Sequence, residues 1–253
     1  MRSLLLSTLI ASMALVGGAH AATVVGNYGT LGADGVVTAP PTGPLYGYVS
    51  TNGGIHGAGQ ISGVGGSNGS SFQSDPFAAG VGDTLRFVFN YVTSDGSGFA
   101  DYGWAELRKA GDDSHVAWLF TGRTQPSGDI APGFGLPSLN ATLNPTTSGI
   151  IGGAPAWSPL GGDSDTCFAT GCGHTGWIES TYNILVAQTY TLNFGVSNWG
   201  DTDYNSGLAF AGARIGTTQI QVVDGGNSIP EPASMAVLGM GLLGLGLQRR
   251  RRA

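Results

Sequence analysis

Residues Thr84-Leu-Arg-Phe-Val-Phe-Asn-Tyr-Val92 alternate with a period of two. Leu85, Phe87, Phe89 and Tyr91 share one face, and Arg86, Val88, Asn90 and Val92 share the other. Side chains along a strand point to opposite sides in turn, so this pattern fits a half-buried strand and does not fit a helix. The period recurs. Tyr102 to Lys109 follows after the turn Ser94 to Gly98, and His115 to Thr121 puts Val116, Trp118 and Phe120 on one face. Trp177 to Val186 aligns Ile178, Tyr182, Ile184 and Val186, and Thr189 to Val196 aligns Tyr190, Leu192, Phe194 and Val196. Gly207 to Ile215 and Thr217 to Val223 close the series. No stretch between residues 22 and 229 holds a 3.6-residue apolar period beyond one turn, and the chain carries 45 glycines, which weaken helices. The reading is an all-β chain folded as an antiparallel β-sandwich, with Trp118 in the core.

Between these strands lie two irregular regions. Residues 22 to 70 are rich in Gly, Ser, Thr and Asn, with short apolar stretches at Thr23 to Val25, Val36-Val37 and Leu45 to Val49. Gly53 to Gly69 reads as a long loop or an irregular edge. Gln125 to Asp165 carries Pro126, Pro132, Pro137, Pro145, Pro155 and Pro159. A proline-rich loop of that length is unusual in a compact domain and often carries binding residues.

The two ends read as addresses. Arg2, the apolar run Leu4 to Val16 and the small-x-small triplet Ala19-His20-Ala21 form a secretory signal peptide over residues 1–21, with the exported domain over 22–224. Gly225 to Ile229 is a flexible spacer. The proline-flanked Pro230-Glu231-Pro232 has fixed φ at both prolines and is therefore extended and accessible. Ala233 to Leu247 is uncharged and rich in Leu, Met, Ala and Gly, and reads as a single transmembrane helix. It is shorter than the roughly 20 residues that span a hydrocarbon core, a deficit that snorkelling arginines and bilayer thinning cover. Arg249 to Arg252 keep the terminus cytoplasmic and leave the domain outside.

The ordered trio of Pro230-Glu231-Pro232, short apolar helix and terminal arginines over residues 230–253 resembles the PEP-CTERM sorting signal of Gram-negative bacteria. The resemblance implies export through the Sec machinery, transient anchoring in the inner membrane, and cleavage by exosortase near the Pro-Glu-Pro motif. It further implies a final place at the cell surface or outside the cell, in organisms that make exopolysaccharide and biofilms. Phe89 to Leu107 and Tyr204 to Ile215 resemble strands of the jelly-roll domains common among such proteins, which are similar in fold to carbohydrate-binding modules. The last strand of those domains often carries an Asp where this chain has Ala211.

From Ala22 to Ile229 fifteen acids face five bases, a net charge of −10. Nucleic acid is excluded as a partner, because phosphate binding needs a basic footprint. Cations fit. Asp201, Asp203 and Asn205, followed by Gly207, place oxygen ligands at alternating positions, as a calcium loop does. The glycine stands one residue later than in an EF-hand, and Gly212 occupies the place of the bidentate Glu. A turn capped by Asp and Asn accounts for the same residues. Asp163 with Asp165, and Asp95 with Asp101, join such a site only if their loops converge.

Cys167 and Cys172 are the only cysteines, and in an exported chain they read as a disulfide. The sharper alternative adds His174 as a metal ligand but lacks a fourth one. Flat sugar faces stack on aromatic rings, and Trp157 and Trp199, placed in loops or turns, are the candidate glycan binders. Gly65-Gly-Ser67-Asn-Gly69 matches the nucleophile-elbow pattern but lacks the strand-to-helix context that motif needs. Paired carboxylates for glycoside hydrolysis need two acids with split pKa values, and Glu106 and Glu179 are the only glutamates of the exported part. The expectation is a non-enzymatic structural or adhesive protein of the exopolysaccharide matrix that binds glycan. A secreted glycan hydrolase and an inert coat protein are the alternatives.

Overall fold

The computed structural model describes residues 22–223. The signal peptide at 1–21, the spacer, and the sorting signal with its helix at 233–247 lie outside the described residues. Among the described residues no helix is long and apolar enough to cross a membrane.

Two antiparallel sheets pack face to face. The first contains β1 (Thr23–Val25), β4 (Asn68–Gln73), β6 (Tyr102–Lys109), β7 (His115–Arg123) and β10 (Gln188–Ser197). Their spatial order is β1-β4-β10-β6-β7. The second contains β2 (Asn27–Leu31), β3 (Tyr46–Ser50), β5 (Thr84–Thr93), β8 (Thr142–Asn144), β9 (Ile178–Asn183) and β11 (Ser206–Ile215). Here the order is β8-β9-β5-β11-β3-β2. The chain crosses from sheet to sheet between β1 and β2, β3 and β4, β4 and β5, β5 and β6, β7 and β8, β9 and β10, and β10 and β11. This is the antiparallel sandwich that the alternating strands predict.

Leu85, Phe87, Phe89 and Tyr91 of β5 are all buried between the sheets, opposite Leu192, Phe194 and Val196 of β10. Aromatic rings bridge the layers. Phe194 stacks on Phe210 with centroids 3.9 Å apart, and Phe87 meets Phe194 edge-on at 5.2 Å. Such contacts add to the large apolar area that each ring removes from water.

The other face of β5 is also covered. Val88 and Val92, with Ala209 and Ala211 of β11, form a second cluster with Val37, Tyr46, Trp157 and Leu160. Trp157 and Leu160 belong to the proline-rich region, which folds back over the second sheet through the short 3-10 helix Ser158–Asp163. Half-burial was the expectation for β5, yet Val88, Asn90 and Val92 are all buried. Period two reports which residues share a face; it does not report what packs on that face.

Gln125 to Asp165 is not wholly irregular either. It contributes β8 and a small hairpin pairing Asp129–Ala131 with Ser148–Gly149. The expected loop Gly53 to Gly69 likewise runs into β4 at Asn68, and its Ile55–His56 pairs with that strand.

Candidate functional site

Two regions collect polar chemistry: the outer face of the first sheet and the loop end of the sandwich. On the outer face, β6 presents Trp104, Glu106 and Arg108 at alternate positions, as strand geometry requires. The β6–β7 ladder shifts register between Ala105 and Glu106, pairing Glu106 with Trp118. The shift moves Trp118 to the outer face, while Ala117, Leu119 and Phe120 are buried inside. The expectation of Trp118 in the core fails for this reason: a bulge breaks the period that the alternation assumed.

Trp104 fits there because its neighbour on β10 is a glycine. A Cβ on Gly195 would lie 2.4 Å from the indole. The Trp104 indole N–H donates to the Gly59 carbonyl at 2.7 Å, and its ring meets Trp118 edge-on at 5.9 Å. His115 lies 5.1 Å from the Trp118 ring.

From these rings a continuous chain of polar contacts runs across four strands, β7, β6, β10 and β4. The His115 Nδ1 is 2.6 Å from Glu106 Oε1, and the Arg108 Nε donates to Glu106 Oε2 at 2.7 Å. The Arg108 guanidinium also donates to Asp113 Oδ2 at 2.7 Å, and the Gln73 amide donates to Asp113 Oδ1 at 2.9 Å. Gln73 reaches Thr191 Oγ1 at 3.3 Å, which also accepts from the Asn193 amide at 3.2 Å. Two clefts of about 440 and 270 Å³ open on either part of this chain and share Asp113. Apart from Glu106, none of these groups was a candidate from sequence, because His115, Asp113 and Gln73 lie on different strands and turns and only the register brings them together.

Glu106 belongs to the first sheet. Glu179 lies on β9 of the second, 3.5 Å from Arg86. The two glutamates therefore do not face one glycosidic bond, as paired glycosidase carboxylates must. Ser67 of the elbow-like pattern gives its hydroxyl to the Asp201 carbonyl.

At the loop end, the segments following β5, preceding β11 and leaving the 3-10 helix converge. Asn205 is held on all sides. Its N–H and its amide both donate to Asp163 Oδ2, at 2.9 and 2.6 Å, and its amide donates to the Leu160 carbonyl at 3.2 Å. Its Oδ1 accepts from the Thr51 hydroxyl at 3.0 Å. Asp201 Oδ1 accepts the Asp203 N–H at 3.1 Å, closing an Asx turn. Among the described residues no three His, Cys, Asp or Glu side chains are disposed to hold one metal ion. Asp201 and Asp203 share the Asx turn, whereas the Asn205 side chain is engaged with Asp163, Leu160 and Thr51.

Trp199 is 36% exposed, its ring 5.1 Å from the Arg123 guanidinium carbon. Trp157, the other candidate glycan binder, is 1% exposed. No face of its ring is open to a sugar, because the proline-rich loop that carries it is folded onto the second sheet rather than standing free. Cys167 and Cys172 are joined by a disulfide with Cα atoms 5.7 Å apart, and His174 Nδ1 accepts the Gly176 N–H at 3.1 Å.

Beneath the loops the acids are buried. Asp101 Oδ1 accepts the Trp199 N–H at 2.8 Å and its Oδ2 lies 2.7 Å from the Ser206 hydroxyl. Burial holds its carboxyl well above the ordinary carboxylate range. Asp95 Oδ1 accepts the Gly96 N–H at 2.6 Å. Burial first, and then the negative charge of Asp201, Asp163 and Asp203, push Asp95 from 3.8 up to about 7.

A carboxyl raised in this way stays protonated in the folded chain at pH values where the unfolded chain has released the proton. Its contribution to stability is whole below about pH 4 and is lost as the pH rises through about 7. The chelator-treated chain is expected to melt a few degrees higher at pH 5 than at pH 8. Discounted for screening at the loop surface, the Asp95 share is roughly 1–2 kcal/mol. Asp95→Asn should flatten that difference in a pH series of melting curves. An equal pH slope in the variant would assign the effect elsewhere.

Residues 228–252 match the family model of the PEP-CTERM protein-sorting motif. The chain is therefore an exported protein that exosortase processes and that is anchored in the membrane transiently. No curated protein and no solved structure matches the chain at a significant level.

Proposed function

We propose that the exported sandwich is a glycan-binding, adhesive protein of the cell surface or extracellular matrix, and that it takes exopolysaccharide along the outer face of the first sheet. The observation that carries this reading is the polar chain from His115 through Glu106, Arg108, Asp113 and Gln73 to Asn193, running beside the Trp118 ring between two open clefts. Sugars present hydroxyls at fixed spacings and flat C–H faces. A row of directional donors and acceptors on a rigid sheet, ending at an aromatic ring, matches both. Each carboxylate in the row already has a cationic or amide partner, so a neutral polysaccharide meets no unpaired charge there. The proposal is of binding alone, without catalysis.

The test is retention of the full-length chain, purified in mild detergent, on gels cast with neutral and acidic polysaccharides. Trp118→Ala is expected to weaken retention about tenfold, the loss of an aromatic contact worth roughly 1.5 kcal/mol. Asp113→Ala, which leaves Arg108 and Gln73 without their shared partner, should weaken it too. Unaltered retention in both variants would move the glycan site to Trp199. Absence of retention on every gel would leave a coat protein without glycan affinity.

A further inference from the structure

The loop end holds two buried side chains whose polar atoms have no partner among the described residues. Asp95 is 1% exposed and its Oδ2 accepts no hydrogen bond. Asn198 is 0% exposed, and neither its Oδ1 nor its Nδ2 makes one. A buried polar atom left without a partner costs on the order of 1–3 kcal/mol, and more when it is charged. Both residues are tied to Asp101 through short hydrogen-bond paths. The Asp95 N–H donates to Thr93 Oγ1 at 3.1 Å, Thr93 Oγ1 lies 2.8 Å from Ser206 Oγ, and Ser206 Oγ lies 2.7 Å from Asp101 Oδ2. Asn198 precedes Trp199, whose N–H Asp101 Oδ1 accepts at 2.8 Å.

The surroundings are oxygen-rich. Thr93 Oγ1 lies 2.8 Å from Ser206 Oγ and 3.4 Å from Thr124 Oγ1, and Thr124 Oγ1 lies 2.9 Å from the Tyr91 hydroxyl. Asp163, Asp201 and Asp203 place further negative charge at the mouth, close enough to act on Asp95. No salt bridge reaches Asp95 or Asp101 among the described residues, and the nearby Arg123 directs its Nε to the Ala100 carbonyl at 3.0 Å.

We propose that this buried polar cluster binds one hard divalent cation, calcium by its all-oxygen donor set, with Asp95 Oδ2, the Asp101 carboxylate and the Asn198 side-chain carbonyl as its protein ligands. Two carboxylates, a side-chain carbonyl and water supply the oxygen coordination that calcium takes, with loose demands on geometry. Bound cation would give a partner to the lone carboxylate oxygen and to the lone amide oxygen together. It would also offset the repulsion among the acids at the mouth. The site differs from the linear Asp201-Thr-Asp203-Tyr-Asn205 loop, whose Asn205 is engaged with Asp163, Leu160 and Thr51. It does not depend on glycan binding, which the reading above places on another face.

Calorimetric titration of calcium into the chelator-stripped full-length chain tests it. One site is expected, with affinity at least tenfold weaker in Asp95→Asn and in Asn198→Ala and lowered far less in Asp203→Ala, which removes only a neighbouring charge. Circular dichroism confirms the fold of each variant, and should Asp95→Asn fail to fold, Asn198→Ala decides. Terbium luminescence sensitised by Trp199 gives an independent readout, lost in the same two variants. The proposal is overturned if the folded wild type binds no calcium, which would leave the orphan atoms to buried water. It is equally overturned if Asp203→Ala abolishes binding while Asp95→Asn and Asn198→Ala retain it.

Discussion

Replacing Trp157 with alanine is expected to cost about 3–5 kcal/mol of stability, the range for truncating a large buried aromatic. The indole fills the space between the second sheet and the proline-rich loop and is 1% exposed. Its N–H donates to the Tyr46 hydroxyl at 3.0 Å, and the Tyr48 ring meets it edge-on at 5.9 Å. Burial, ahead of a counteracting bond from Trp157, pushes the Tyr46 hydroxyl up to about 12. Truncation therefore leaves a cavity and a buried hydroxyl that has lost its donor, and the two costs add.

The sequence has made room for that ring. A Cβ on Gly207 of β11 would lie 2.5 Å from the indole. Gly207→Ala is thus expected to destabilise the wild type by overpacking and to be much milder in the Trp157→Ala background. Denaturant melts of the four chains of this cycle measure the coupling. A Trp157→Ala chain with an unchanged midpoint would show that the ring contributes nothing to the core.

Changing Pro230, Glu231 and Pro232 to alanine is expected to shift the protein from mostly processed to mostly uncleaved and membrane-bound. The matched sorting motif spans 228–252 and includes these three residues. The apolar run that follows then keeps the uncut chain in the bilayer. Fractionation with a tag placed ahead of residue 225 reports it, as tagged protein in the membrane pellet and at the higher mass. Normal release of the variant would mean that cleavage does not read these three residues. This change acts on delivery and leaves the sandwich untouched, whereas Trp157→Ala acts on the sandwich alone.

The strands of the core were legible because their signal is local. Leu85 to Tyr91 and Tyr190 to Val196 show their inward faces in the order of their own residues. Trp118 and Trp157 exchange roles relative to that local reading. Trp118, in a strand, faces out because the β6–β7 register shifts beside it. Trp157, in a loop, is buried because Val88, Val92, Ala209 and Ala211 leave an apolar face that the loop covers. Neither event has a signature in the residues next to the tryptophan. The polar chain of the outer face was invisible for the same reason: Gln73, Glu106, Asp113, His115 and Thr191 meet only through cross-strand pairing.

The sequence by itself determined that this chain is an alternating, glycine-rich, acidic β-protein carrying a sorting signal at residues 228–252. Periodicity, charge and a linear motif are properties of neighbours along the chain, and they survive without a fold. The tertiary structure alone decided which acids share the loop end, which tryptophan is a core residue, and where Asp95 and Asn198 stand without partners. Those depend on sheet register and loop convergence between residues far apart in sequence, and their energies exist only once the two sheets have closed on each other.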